Sequence, residues 1–161
     1  MKHLVQISST GIDQLATQGI VYFDHLYDPV KASFIFEEVL AAAPDIAAAN
    51  YGMGKIYQYY ENDPVNAALY YKRAIDTEPG HKEALQCYAI LVEAKNPELA
   101  KELYKAALSF DPENPEVHFH FAILLKNFFR QELETAREHY VKAVSINQQF
   151  ERDYLQVLFK L

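Results

Sequence analysis

The chain has 161 residues, of which half are hydrophobic and 23% are charged, and its formal net charge is −7. This composition excludes a mostly disordered chain and allows one domain with a sizeable core. The negative charge argues against nucleic acid or an anionic membrane as the main partner, and a single cysteine, Cys87, excludes a disulfide framework and a thiol metal site.

The N-terminal residues carry no targeting signal that we recognise. Residues 1–14 contain one lysine and a very short apolar stretch, unlike a signal or transit peptide. No apolar run approaches the roughly 18 residues that a membrane span needs. We therefore expect a soluble, cytoplasmic protein. Thr10 and Asp13 resemble a capping box for a first helix, and residues 1–9 are expected to pack loosely.

Two interleaved series of prolines set the period of the predicted helices. The first series follows Asp or Asn at steps of 35 and 33 residues, and consists of Pro29, Pro64 and Pro97. The second keeps the same steps and consists of Pro44, Pro79 and Pro112. A proline after an N-cap residue begins a helix, whereas the residue before a proline is driven out of the helical region. The chain is therefore predicted to repeat a unit of helix, tight turn, helix and stop.

Side chains between the prolines repeat with the same period. Small residues recur in the first helices, at Gly19, Gly54, Ala89 and Ala122. Large residues recur in the second helices, at Phe36, Tyr71, Tyr104 and Tyr140. Small positions facing large ones are what closely packed, interdigitating helices need.

On these residues the chain resembles tetratricopeptide-repeat (TPR) proteins, whose unit is a helical hairpin of about 34 residues. The resemblance implies an all-α, right-handed superhelical solenoid forming a single domain, 1–161. Its predicted parts are four hairpins, 12–46, 47–81, 82–114 and 115–150, and a C-terminal capping helix, 151–161. The Trp of the family's first helices is replaced by Leu15, Asn50, Leu85 and His118. The fourth hairpin lacks a closing proline, which leaves open that its second helix continues towards the last one.

No catalytic or cofactor-binding pattern is found. The sequence has no Gly-rich phosphate loop, no HExxH and no nucleophile motif. His118 and His120 are two residues apart, so they point to different faces of a helix and cannot chelate a metal together. A packing role in the core is the expected role of His118. We predict neither enzymatic activity, nor a cofactor, nor a metal site.

The resemblance also implies a concave groove lined by the first helix of each hairpin. Ten of the corresponding positions are the candidate binding residues: Ile20, Phe23, Tyr51, Lys55, Gln58, Gln86, Ile90, Phe119, Ile123 and Lys126. Ala16 and four acidic residues, Asp13, Glu83, Glu93 and Glu116, also fall at groove positions. An apolar stripe with four acids and two lysines around it suits a partner peptide or helix with apolar anchors and some basic groups. Tyr51 and Phe119 are the expected aromatic anchors, and the alternative for each position is packing against the adjacent repeat.

Two further predictions concern which surfaces bind. The Lys, Asn and Arg set by which some family members clamp the acidic tails of heat-shock chaperones is absent, so no binding of such tails is predicted. Phe128 and Phe129 lie where a polar turn would be expected. They form either a second binding surface or a longer helix with one Phe tucked under the last hairpin.

The predicted function is therefore protein–protein binding, as an adaptor or scaffold. One alternative is a chaperone for a secreted or assembly-bound client. Another is a structural subunit that docks through its convex face, Phe128 and Phe129, and the last helix. Homo-oligomerisation through that helix is a further alternative.

Overall fold

The structure, a computed structural model, describes residues 9–151, with side chains from residue 11 onwards. Within this range it contains eight α-helices and no strand. The helices are α1 (Ser9–Asp24), α2 (Pro29–Ala42), α3 (Ala47–Lys55), α4 (Pro64–Thr77), α5 (Lys82–Val92), α6 (Pro97–Phe110), α7 (Pro115–Phe128) and α8 (Leu133–Ile146). A π-helical segment, Ile56–Tyr60, extends α3, and a 3₁₀ turn, Arg130–Glu132, precedes α8. The capping box predicted at Thr10 and the capping helix 151–161 lie outside the described side chains.

Asx-Pro pairs begin the second helices as the sequence predicts. Asp28 Oδ1 accepts from the backbone N–H of Lys31, and Asp63 caps α4 in the same way. Asn96 caps α6, with Pro97 at the first helical position. The sequence analysis did not single out Asn114, whose side chain caps α7 before Pro115. These side chains satisfy backbone donors that a helix start would otherwise leave without partners.

The described chain divides into two compact units inside α5. The first unit ends at Ala84, and the second begins at Leu85. In the first unit α1 packs on α2, α3 packs on α4, and α3 also contacts α1 and α2. In the second unit α7 packs on α8 and contacts α6. That all four hairpins form one domain stays a prediction, as does the hand of the superhelix.

Glycine positions in the first unit let helices approach closely. A Cβ built on Gly19 would lie 2.5 Å from Phe36 Cε1, and one on Gly54 would lie 2.5 Å from Tyr71 Cδ1. This confirms the predicted small-against-large packing at both positions. Gly52, which the sequence analysis did not single out, presses on the other side of Phe36, so that ring is held between α1 and α3. Side chains cannot be added at these glycines without moving a fully buried ring.

The second unit repeats this packing with alanines. Its buried residues include Ala89, Tyr104 and Ala122 of the recurring positions, together with Ala100, Ala107, Ala136 and Ala143. The second helix of the fourth hairpin does not continue past Ile146: residues 147–149 form a turn, and the chain is helical again at Phe150. Asn147, the C-cap residue of α8, accepts at Oδ1 from the N–H of Gln149 at 3.0 Å, which is a turn stabilised by an Asn side chain.

Candidate functional site

Lys55 is the centre of the predicted groove positions in the first unit. Its Nζ forms an ion pair with Asp24, and lies 4.9 Å from the ring centroid of Phe23 and 5.5 Å from that of Tyr51. The ammonium is therefore held between a carboxylate and two aromatic faces, which attract cations through the ring quadrupole. Phe23, Tyr51 and Lys55 are thus brought together from α1 and α3. Asp24, which neutralises the lysine, was not predicted.

Tyr51 and Gln58 connect this surface to the second helix of the hairpin. Tyr51 lies 6.1 Å from the ring of Tyr71 and 5.0 Å from that of His81. The hydroxyl of Tyr71 donates to Gln58 Oε1 at 2.6 Å. Tyr51 is half-buried, so its ring both packs on neighbours and reaches solvent. Ile20, also half-buried, packs against the core of the first unit, which fits the packing alternative for that residue.

The same connection recurs in the second unit. The hydroxyl of Tyr104 donates to Glu93 Oε2 at 3.0 Å, at positions that repeat Tyr71 and Gln58. Burial raises the pKa of the Glu93 carboxyl, and the hydrogen bond from Tyr104 opposes that rise. Burial next to Glu93 also holds the pKa of Tyr104 far above its usual range. The phenol therefore stays protonated and serves as a permanent donor.

Four predicted groove residues of the second unit are half-buried, and one of them is hydrogen-bonded to an acidic residue. Gln86 Nε2 donates to Glu116 Oε2 at 2.9 Å, and Ile90, Ile123 and Lys126 are half-buried. Lys126 lines a cavity of about 530 Å³ between α7 and α8.

Phe119 is only 7% exposed, because its ring stacks on Phe150 with centroids 4.8 Å apart. Its predicted role as a binding anchor is untested. Truncating it would also remove a packed aromatic pair, so it is a poor probe of binding.

Two of the residues that replace the family's Trp share one structural role. Asn50 Nδ2 donates to the carbonyl of Pro44 at 2.8 Å, and His118 Nε2 contacts the carbonyl of Pro112 at 2.9 Å. In both cases the proline lies six residues earlier and closes the preceding hairpin. Both side chains are buried, which confirms the core role expected for His118.

His118 also pairs with a second histidine that was not predicted. Its Nδ1 lies 2.7 Å from His139 Nδ1 on α8. If Nε2 of His118 donates to Pro112, its Nδ1 must accept, so His139 carries its proton on Nδ1. Burial, with a smaller contribution from His118 and Lys142, lowers the pKa of His139 to about 4. The ring of His139 is therefore neutral near pH 7, and its contact with His118 fastens α8 to α7.

Phe128 and Phe129 have different environments. Phe129 is buried, with Lys101 Nζ 4.5 Å from its ring centroid, while that ammonium also bonds Glu132 at 2.5 Å. Phe128 is exposed. Phe129 is therefore buried, as one of the two predicted alternatives had it, and of the two residues only Phe128 remains exposed for a surface role.

The exposed faces of the second helices differ between the two units. In the first unit these positions are apolar and exposed: Val30, Phe34, Val65 and Leu69. The positions that repeat them in the second unit are all glutamates: Glu98, Glu102, Glu134 and Glu138. At a position exposed to solvent, a glutamate is more favourable than an apolar side chain. The four exposed apolar residues are therefore an unusual feature of the first unit.

No group of three or more potential metal ligands occurs among residues 9–151, and none of the helices in that range is long and apolar enough to cross a membrane. No protein-family model matches the sequence. A search of curated proteins gives no significant match.

Solved structures do match the fold. Residues 41 to the end of MamA from Desulfovibrio magneticus RS-1 are 20% identical, covering 88% of this chain and 78% of that one, with a TM-score of 0.68. PilF of Pseudomonas aeruginosa is 20% identical over 85% of this chain and 61% of its own, with a TM-score of 0.71. The first TPR domain of Spaghetti (RPAP3), bound to the HSP90 peptide SRMEEVD, is 17% identical over 76% of this chain and 97% of its own, with a TM-score of 0.66.

These matched proteins contain tetratricopeptide repeats. Together with eight helices that follow the two proline series, they confirm the predicted fold. The chain therefore has the all-α tetratricopeptide-repeat fold.

Proposed function

We propose that this chain is a protein-interaction module, without a catalytic step, that holds a segment of a partner protein. The observation that carries this proposal is the cluster of Phe23, Tyr51 and Lys55, partly exposed on α1 and α3. Half-buried aromatic rings that are already fixed by neighbours lose little side-chain entropy on binding, which makes them efficient anchors. The proposed ligand is a peptide or helix with apolar and some basic side chains.

A second candidate function is favoured by the exposed apolar positions of α2 and α4. Val30, Phe34, Val65 and Leu69 would suit a structural subunit that docks into a larger assembly by this face. Such docking leaves the α1 and α3 cluster free, so the two candidates are separable by mutation.

The deciding experiment compares two double variants in capture of partners from the native cell. Phe23→Ala with Tyr51→Ala removes the rings of the cluster, whereas Phe34→Ala with Leu69→Ala removes exposed apolar groups of the second helices. Helical melting checks that both variants fold. We expect the first variant to lose a captured partner by roughly tenfold or more, as for hot-spot aromatics, with little change for the second. The reverse result would favour the structural subunit, and capture unchanged by both would reject both surfaces.

Binding of acidic chaperone tails is excluded from the proposal. At the positions of a carboxylate clamp this chain has Ala16, which is buried, and Glu83. The one lysine at a groove position of the first unit, Lys55, is already paired with Asp24. We expect no saturable binding of the peptide EEVD, the acidic end of the peptide held by the RPAP3 domain, in isothermal titration calorimetry. Binding at micromolar concentration would contradict this expectation.

A further inference from the structure

Two turns of the first unit each contain one residue with a positive φ at the same turn position, but the residue type differs. The turn between α1 and α2 places Tyr27 at φ 51°, and the turn before α4 places Asn62 at φ 54°. These positions are one repeat apart. Asn is one of the few residues that tolerate the left-handed region, whereas a bulky aromatic residue there is a rare outlier. Tyr27 is also 84% exposed, so packing of its ring does little to offset the cost of this backbone conformation.

A second irregularity lies beside it. The end of α3 widens into a π-helical segment at Ile56–Tyr60, and such segments are often found at functional sites. Tyr59 and Tyr60 in this segment are 61% and 54% exposed. The strained turn and the π-helical segment therefore both present tyrosine rings at the same end of the first unit.

These tyrosines line one cavity. Its volume is about 280 Å³, and its walls are Phe23, Asp24, Tyr27, Pro29, Tyr59 and Tyr60. Pockets for whole small ligands are usually larger, roughly 300–1,000 Å³, so this one suits a single side chain. Four aromatic rings and one carboxylate form the type of wall that surrounds an organic cation.

The charges of the surrounding turns also favour a cationic ligand. Residues 24–29 and 60–64 contain Asp24, Asp28, Glu61 and Asp63, with no lysine or arginine. Two lysines lie close to these turns: Lys55, which is paired with Asp24 Oδ1 and lies 4.9 Å from the Phe23 ring centroid, and Lys31, whose Nζ lies 4.2 Å from the ring centroid of Tyr22. Lys55 balances the charge of Asp24, but a carboxylate offers about four lone-pair sites, so Asp24 can still accept hydrogen bonds from a guanidinium. The molecule as a whole carries a net charge of −7, which adds to the attraction for a cation.

We propose that this cavity binds an arginine side chain of the partner protein. A planar guanidinium stacks on tyrosine faces and presents several donors to a carboxylate, which a compact ammonium does less well. This inference rests on the proposed function, because a partner chain must supply the arginine. It places the basic part of that partner at the turn end of the first unit, beyond the cluster at Lys55.

The test uses a small probe, so that it does not depend on knowing the partner. The full chain is titrated with N-acetyl-arginine methylamide, and its amide and tyrosine signals are followed by NMR. The matched control ligand is N-acetyl-citrulline methylamide, which has nearly the same shape but no charge. We expect saturable shifts centred on residues 23–29 and 59–62 with the arginine compound. Binding of the citrulline compound is expected to be roughly tenfold weaker, the factor that loss of a cation–aromatic attraction gives.

Variants then locate the site. Tyr27→Asn installs the residue that the equivalent turn already uses, so it should fold at least as well as the wild type while losing one wall of the cavity. Combined with Tyr60→Ala it should abolish the shifts, whereas Phe110→Ala, an exposed aromatic of the second unit, should leave them unchanged.

Three results would overturn the inference: absence of saturable shifts in the wild type, equal binding of the citrulline compound, or retained binding by the double variant. Should the double variant fail to fold, the comparison of the two ligands on the wild type still decides. If the Phe23→Ala, Tyr51→Ala variant captures partners as the wild type does, while the wild type still binds the arginine compound, the proposed function is rejected and this cavity still stands.

Discussion

At the scale of single residues, two polar side chains that replace the family's Trp connect the second and the fourth hairpin to the hairpin before each of them. Asn50 and His118 both reach back to the carbonyl of a proline six residues earlier. His118 is further coupled to His139, because Nδ1 of one ring lies 2.7 Å from Nδ1 of the other. Protonation of His139 would place a positive charge in a half-buried site, which is why burial lowers its pKa. The second unit is therefore expected to be sensitive to acid.

The pH dependence follows from the pKa of His139. In the unfolded chain this pKa is near 6.5, and in the folded chain it is about 4, so the unfolded state binds more protons between these values. The part of the folding stability that comes from this pKa difference is therefore fully present above pH 6.5 and is lost as pH falls towards 4. Burial also lowers the pKa of His120, which adds to the loss. We expect the free energy of unfolding in urea to drop by about 2 kcal/mol between pH 7 and pH 5.

Two histidine variants, one in each unit, check the origin of this pH dependence. His139→Gln should remove most of the pH-dependent loss, because glutamine can donate to His118 without titrating. His25→Gln, at an exposed position of the first unit, should leave it unchanged. Equal pH dependence in all three proteins would contradict the assigned role of the His118–His139 pair.

At the scale of helices, close approach depends on glycine and alanine at fixed positions. Gly54 of α3 faces the ring of Tyr71 on α4, and that ring is completely buried. The proline series predicted where these helices begin and end, because capping and proline sterics act locally. The π-helical segment after α3 and the left-handed Tyr27 could not be predicted, since both depend on how neighbouring helices meet rather than on local preference.

Gly54→Ala tests the close approach of α3 and α4. The new Cβ would lie 2.5 Å from the Tyr71 ring, so the helices must separate or the ring must tilt. We expect a loss of about 1–3 kcal/mol in the free energy of unfolding, as for overpacked cores, despite the gain in helix propensity. Gln18→Ala, at an exposed position of α1, is the matched control and should change stability by only a few tenths of a kcal/mol. A Gly54→Ala protein as stable as the wild type would show that this contact is not tight.

At the scale of the whole molecule, the two compact units share one repeating design but present different surfaces. At equivalent positions of the second helices, the first unit has the exposed apolar residues Val30, Phe34, Val65 and Leu69, whereas the second unit has glutamates. The repeating pattern predicted the packing of both units well, since it comes from positions that every hairpin uses. It did not predict the contacts of two candidate binding residues. Lys55 is paired with Asp24, and Phe119 is covered by Phe150, and neither partner is adjacent in sequence.

The most direct measurement of the central proposal is the hydrogen-exchange footprint of a captured partner on this chain. We expect slower exchange in α1, in α3 and in residues 56–60 when the partner is bound, because the cluster of Phe23, Tyr51 and Lys55 lies there. Exchange in α8 should be unchanged. Protection confined to α2 and α4, or no protection in the first unit, would contradict the account.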